Sequence, residues 1–228
     1  MTSPGEEEDG SGGSAPCLMH ELTEDGRVVD PRELQEVTRW RKAERERLLA
    51  MRMALPAEAR QAETQAICAE LDRLLPAHES LLISVYWPIK GEPDLRAWMR
   101  ARAAGGTRIA LPVAVGLRQP LTFREWHPEA RMAYGLWRIP YPAETAEVIP
   151  SVVLAPLVGF DRQGYRLGYG GGFFDRTLAQ LRPRPRAIGL GYACCAIQTI
   201  HPQAHDIPMD EIVTGAGSAR RPHPAQER

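Results

Sequence analysis

The chain is short of lysine, of cysteine, of long apolar runs and of net charge, and each shortage excludes something. Its 228 residues hold 28 basic and 29 acidic side chains, a formal net charge of −1, so taken whole it is neither a polyanion binder nor an acidic scavenger. No apolar run approaches the roughly 18–20 residues that cross a bilayer, and the first residues carry acids where a signal peptide needs a basic start. A soluble, cytoplasmic protein without membrane contact is expected. Cys17, Cys68, Cys194 and Cys195 include no C-x-x-C pair, and the adjacent Cys194 and Cys195 are poorly placed for an ordinary bridge. Reduced, partly buried thiols are expected. Only Lys42 and Lys90 are lysines, so the positive charge is almost wholly arginine, the better fork for phosphate oxygens. Genome composition alone produces the same bias, so it marks no site by itself.

The near-zero charge is a composite. Residues 1–30 hold eight acids (Glu6, Glu7, Glu8, Asp9, Glu21, Glu24, Asp25, Asp30) and one base (Arg27), a net −7 that leaves the remainder at +6. With their Gly, Ser, Glu and Asp content these residues read as a disordered acidic tail. The arginine-rich body has no aromatic residues interleaved in a basic stripe and no nucleic-acid module. Nucleic acid is therefore not an expected partner.

Patterning predicts helices over Glu33–Met53, Pro56–Leu75, Pro93–Ala104 and Phe174–Leu181. Apolar, β-branched or aromatic runs predict strands at Leu81–Trp87, Thr107–Pro112, Val152–Phe160 and Ala187–Tyr192, with shorter ones at Leu121–Phe123 and Glu211–Thr214. Alternation of helices with continuous apolar runs predicts an α/β fold, a three-layer α/β/α sandwich around a mostly parallel sheet. The domain is expected over residues 31–215, with 216–228 a flexible C-terminal tail.

The segment Arg166-Leu167-Gly168-Tyr169-Gly170-Gly171-Gly172-Phe173-Phe174-Asp175-Arg176 carries the chemistry. Four glycines in five positions follow a strand and open a helix, which lets backbone N–H groups converge on an anion at a helix N-terminus. Arg166 and Arg176 flank the loop as forked donors, and Asp175 in the first turn can reach a divalent cation bridging phosphates. The alternative is a tight turn in which Asp175 merely caps the helix. The loop lacks the G-K-[ST] of a Walker A motif, and Phe173 stands where the dinucleotide fingerprint needs its third glycine.

The run PLVGFDRQGYRLGYGGGFFDRTL (Pro156 to Leu178) resembles the signature of the 5-formyltetrahydrofolate cyclo-ligases, or methenyltetrahydrofolate synthetases. Tyr86-Trp87-Pro88, Gly91-Glu92-Pro93-Asp94, Leu111-Pro112, Trp137-Arg138-Ile139-Pro140 and His205-Asp206-Ile207-Pro208-Met209-Asp210 match in the same order. The resemblance covers about residues 41–215. It implies ATP- and Mg2+-dependent conversion of 5-formyltetrahydrofolate to 5,10-methenyltetrahydrofolate, with a monomer expected. Carried over to this chain, Gly168, Tyr169, Gly170, Gly171 and Gly172 with Phe174, Arg166 and Arg176 hold the ATP phosphates. Arg166, Asp175 and Arg176 serve catalysis, and Asp175 and Asp206 take magnesium, Asp206 having a loop cap as its alternative role. Glu92 grips the pterin, and Trp87, Trp137, Phe173 and Phe174 line the folate pocket. Phe173 and Phe174 stand where the family commonly has tyrosines.

The N-terminal helix departs from the family's K-x-x-L-R. Aligned on Arg52 and Leu55, Lys42 meets the lysine, Arg45 the leucine and Glu46 the arginine. Lys42, with Arg45 or Arg47 replacing the missing arginine, is expected at the ATP phosphates. Arg39 and Arg41 read as part of an exposed charge lattice. Glu46 and the two phenylalanines also motivate a second reading, a paralogue that binds folate or nucleotide without efficient turnover.

Overall fold

The computed structural model describes residues 31–76 and 81–221. The acidic segment 1–30, Cys17, His20, His78 and His223 lie outside the described residues. Two helices come first, α1 (Pro31–Ala54) and α2 (Ala57–Leu74). Strands and helices then alternate as expected through β1 (Leu82–Ser84), α3 (Arg96–Ala104), β2 (Arg108–Ala114) and β3 (Leu121–Trp126). Two short strands, β4 (Met132–Tyr134) and β5 (Pro140–Pro142), precede β6 (Val152–Pro156), and two more, β7 (Gly159–Phe160) and β8 (Arg166–Leu167), lead into α4 (Phe173–Gln180). The chain ends with β9 (Arg186–Leu190), β10 (Glu211–Thr214) and β11 (Gly217–Arg220).

One seven-stranded sheet runs β11-β10-β9-β6-β1-β2-β3. Every neighbouring pair from β10 to β2 is parallel, and only the edges, β11 on β10 and β3 on β2, are antiparallel. Burial on both faces explains the continuous apolar runs: Val152 and Leu154 face the layer of α2 and α3, while Val153 and Ala155 face α4. The expected three-layer α/β/α architecture is present.

Several stretches differ from the sequence reading. Val152–Phe160 is two strands, because the chain leaves the sheet after Pro156 and Gly159–Phe160 pairs antiparallel with Arg166–Leu167. The turn between them is built on Asp161, whose Oδ1 accepts the amides of Gln163 (3.0 Å) and Tyr165 (3.1 Å). Leu81–Trp87 is strand only over Leu82–Ser84, and Tyr86 and Trp87 become cavity wall instead. The expected end at 215 falls short, since Gly217–Arg220 pairs with β10.

The most instructive difference is α1. Its apolar residues suggested an ordinary packing helix, yet Leu34 and Met53 are exposed. Arg41, Leu48 and Arg52 are the buried positions, with Arg45 half-buried between them. The spacing 41, 45, 48, 52 is one helical stripe, and three of its four members are arginines. Their charges are met across the interface. Arg41 donates Nε to Ile200 O (2.9 Å) and Nη2 to His201 O (2.8 Å) and pairs with Asp206, while Arg52 donates Nη1 to Leu157 O (3.0 Å). Arg41 is therefore no member of an exposed lattice, contrary to the expectation from sequence, whereas Arg39 is exposed.

Candidate active site

Sheet order reverses between β1 and β6: the chain moves outward to β2 and β3 on one side, then to β9 and β10 on the other. Such a switch point opens a crevice beyond the carboxyl ends of the strands. A cavity of ≈ 750 Å³ lies there, walled by Tyr86 and Trp87 after β1, by Pro112–Ala114 at the end of β2 and by Pro156 at the end of β6. Arg41, Lys42, Arg45, Glu46 and Leu49 of α1 and the glycine loop close it.

The loop delivers an anion cradle. Gly170 (φ +92) and Gly172 (φ +63) hold left-handed backbone that side chains resist, and a Cβ on Gly170 would stand 3.5 Å from the Arg45 guanidinium carbon. Among the described residues no protein acceptor takes the amide N–H groups of residues 169–172. Gly172 caps α4, so the helix dipole adds to those donors. Arg166 is buried beside the loop, its Nη2 2.9 Å from Asp175 Oδ2 and its guanidinium 5.3 Å above the Phe174 ring. Arg176 folds back onto the Gly171 carbonyl and lies 5.5 Å from the Phe173 ring. Where tyrosines are expected, the two phenyl rings thus support arginines.

Of the two arginines expected to replace the missing one, Arg45 reaches the loop, its Nε donating to Gly168 O at 2.7 Å. Lys42 and the exposed Glu46 also line the cavity. Arg47 does not. It is exposed and held by Glu44 through Nε (2.9 Å) and Nη2 (2.6 Å), one step round the helix from the cavity face. Arg45→Ala is therefore expected to raise the apparent KM for ATP about tenfold, the cost of one charge-assisted hydrogen bond. Arg47→Ala should leave that KM unchanged within about twofold; a steady-state titration of ATP checks both.

The other functional group of the cavity is Glu92, a buried carboxylate at 6% exposure. Its Oε2 accepts the Ile89 amide (2.8 Å) and its Oε1 the Tyr169 hydroxyl (2.7 Å). That hydroxyl in turn accepts from Arg52 Nη2 (2.6 Å), and Lys90 Nζ sits 5.5 Å from the Tyr169 ring. Burial is the largest influence on Glu92 and pushes its carboxyl above the usual range, opposed by the Ile89 amide, the Tyr169 hydroxyl and the charges of Arg52 and Lys90. Each carboxylate oxygen keeps a lone pair for a ligand with two adjacent N–H donors. Tyr169, expected at the ATP phosphates, thus spends its hydroxyl on Glu92. Trp87 lines the cavity with the Arg96 guanidinium 5.6 Å from its ring. Trp137 is 61% exposed at the rim, edge-on to Phe173 at 5.4 Å. Trp137 and Arg138 both hold positive φ (55 and 58), a strained turn that aims the indole over the mouth.

Among the described residues no three Asp, Glu, His or Cys side chains gather for a metal. Asp175 and Asp206 both face the cavity. Asp175 Oδ1 accepts the Ile207 amide (3.2 Å) opposite its Arg166 contact. Asp206 accepts from Arg41 and from the Gln203 amide (2.7 Å), so the loop-cap role is present. Two carboxylates with remaining lone pairs fit a magnesium ion that arrives on phosphates and keeps its waters; they do not make a protein-only cage. His205, exposed, adjoins this end, its Nε2 3.9 Å from Asp206 Oδ1. Cys68, Cys194 and Cys195 are free thiols, and burial pushes those of Cys68 and Cys195 up to about 11 and about 12. Such thiols are poor nucleophiles.

Arg41, which lines the cavity, and Arg52, which donates to the Tyr169 hydroxyl, were given no site role by the sequence. Their signal was the helical spacing of arginines at 41, 45 and 52, which apolar periodicity does not count.

Residues 37–215 match the profile of the 5-formyltetrahydrofolate cyclo-ligase family. The chain is 31% identical over 175 residues to the 5-formyltetrahydrofolate cyclo-ligase of Mycolicibacterium smegmatis, covering 73% of this chain and 89% of that one. It is 29% identical over 170 residues to the enzyme of the same name from Escherichia coli K12, covering 72% and 93%. Its fold is similar to the 5,10-methenyltetrahydrofolate synthetase of Aquifex aeolicus (TM-score 0.70, 27% identity, 82% of this chain and 99% of that one). The synthetase from Mycoplasma pneumoniae gives a TM-score of 0.63 at 25% identity, covering 77% and 98%. With the profile spanning the sheet up to its β11 edge, the glycine loop and every wall of the cavity, the chain belongs to the 5-formyltetrahydrofolate cyclo-ligase family.

Proposed function

We propose that this protein is an ATP-dependent 5-formyltetrahydrofolate cyclo-ligase that forms 5,10-methenyltetrahydrofolate, ADP and phosphate. One observation carries the reading: a single cavity presents both a buried carboxylate with two free lone pairs, Glu92, and a glycine cradle with the buried Arg166 beside it. The first suits the aminopyrimidinone edge of a pterin, and the second suits a triphosphate. Trp87, Trp137 and Phe173 offer ring surface to the folate between them.

An N-formyl oxygen is a poor leaving group. Its attack on the γ-phosphorus releases ADP and leaves an iminium phosphate. N10 then attacks the formyl carbon, the C–O bond breaks, phosphate departs with the formyl oxygen, and the N10 proton is lost. Little covalent chemistry falls to the protein, so its contribution is alignment and neutralisation. Glu92 fixes the pterin, Arg45 and the loop amides fix the phosphates, and Arg166 and Arg176 meet charge developing on the transferred group. A magnesium ion held by the phosphates with Asp175 and Asp206 would supply further charge neutralisation.

Glu46, exposed at the cavity rim where the family carries an arginine, favours the second reading, ligand binding without efficient turnover. Arg45, bonded to the loop one residue earlier, answers it by supplying the cation from a neighbouring helical position. Purified protein given 5-formyltetrahydrofolate, ATP and magnesium is expected to develop the methenyl absorbance band. Intact binding of both ligands by calorimetry without the band would establish the second reading instead.

A further inference from the structure

The glycine loop carries one side chain between its glycines, and that side chain does not face the cradle. Tyr169 extends from the loop to Glu92, its hydroxyl bridging Arg52 Nη2 (2.6 Å) and Glu92 Oε1 (2.7 Å). The polarity of the bridge is fixed, since a guanidinium only donates: the hydroxyl accepts from Arg52 and gives its single proton to Glu92. Arg52 cannot yield, being 1% exposed and tied to Leu157 O. Glu92 is equally set, with Oε2 on the Ile89 amide. The member with the most backbone freedom is therefore the loop, in which glycine stands at 168, 170, 171 and 172 around Tyr169.

We infer that Tyr169 is a positioning residue that couples the phosphate cradle to Glu92, so that nucleotide bound in the loop tightens the binding of folate and folate tightens the binding of nucleotide. This rests on the functional reading above. A loop drawn onto phosphates by its amides sets the Tyr169 hydroxyl on Glu92, and the hydroxyl holds Oε1 in the orientation that leaves its second lone pair toward the ligand. A folate seated on Glu92 holds the same hydrogen bond closed from the other end. Coupling of this kind is reciprocal by thermodynamic necessity, and factors of roughly 5–150 are usual. The two ligand sites are distinct, and the shared element is the loop itself.

The test is Tyr169→Phe, which keeps the ring beneath Lys90 and removes only the bridging hydroxyl. Tyr169 is 38% exposed, so water can take the vacated positions and the fold is expected to survive; a melting curve verifies it. Dissociation constants of 5-formyltetrahydrofolate are measured by calorimetry with and without a non-hydrolysable ATP analogue and magnesium. In the native protein the analogue is expected to tighten folate about tenfold. In Tyr169→Phe that factor should fall to within about twofold of unity, with the affinity for the analogue alone unchanged. A purely structural role would weaken both ligands and leave their ratio alone, which overturns the inference, as does a native protein in which the ligands bind independently. Absence of any folate binding to the native protein overturns the functional reading and this inference with it.

Discussion

Glu92→Gln is expected to raise the dissociation constant for 5-formyltetrahydrofolate by roughly 10²–10⁴-fold while the affinity for an ATP analogue stays within about twofold. Two hydrogen bonds to a buried carboxylate, each contributing about 1.5–3 kcal/mol, set that scale. The amide is isosteric but wrong in kind. Both carboxylate oxygens already face donors, the Ile89 amide and the Tyr169 hydroxyl, so one of them must confront the new NH2. The pH profile carries the same information. Burial holds the Glu92 carboxyl above the ordinary glutamate range, and the ligand needs the ionised form. Folate affinity is therefore level above this raised pKa and falls by about tenfold per pH unit below it. The inflection lies at a higher pH than a free glutamate would give, and it should vanish in Glu92→Gln. An unchanged folate affinity in the variant would remove Glu92 from recognition.

The second large effect belongs to the Arg166–Asp175 pair. Arg166→Ala is expected to lower kcat about 10³-fold, the scale for losing a preorganised donor to a transferring phosphoryl group. Folate affinity should hold within about twofold, because Arg166 serves the other part of the cavity. The residue is 7% exposed, its guanidinium is bonded to Asp175 and seated over Phe174, and its Nε has no protein partner among the described residues. A buried arginine with an unfilled donor beside a cradle of loop amides is arranged for an anion. Arg166→Lys keeps the charge and loses the fork, so an intermediate kcat is expected. Asp175→Ala should abolish magnesium-dependent turnover with folate still bound. Equal losses in kcat and kcat/KM mark interactions made in the transition state; a loss confined to KM would return Arg166 to ground-state binding.

The sheet was legible because burial on both faces writes unbroken apolar runs, and Val152–Pro156, Arg186–Leu190 and Glu211–Thr214 stand close to where patterning put them. The glycine loop was legible because few roles explain four glycines, two arginines and an aspartate in that order. What escaped was carried by polar burial. Arg41, a surface charge by its pattern, is buried against Asp206, and no local pattern pairs residues 165 positions apart. Tyr169 reads with its loop, yet its hydroxyl belongs to Glu92, 77 positions away. The short ribbons Met132–Tyr134 with Pro140–Pro142 and Gly159–Phe160 with Arg166–Leu167 escape because two or three residues give no periodicity to read. The choice between Arg45 and Arg47 needed only the rotation of α1, which the position of Leu48 in the core fixes.

The central claim is that one cavity aligns the formyl oxygen of the folate with the γ-phosphorus of ATP. Turnover of 5-formyltetrahydrofolate labelled with heavy oxygen at the formyl group, with mass analysis of the released phosphate, tests it most directly. The expected result is one labelled oxygen in each phosphate released, in step with the methenyl product. Phosphate free of label while the methenyl product accumulates would contradict it.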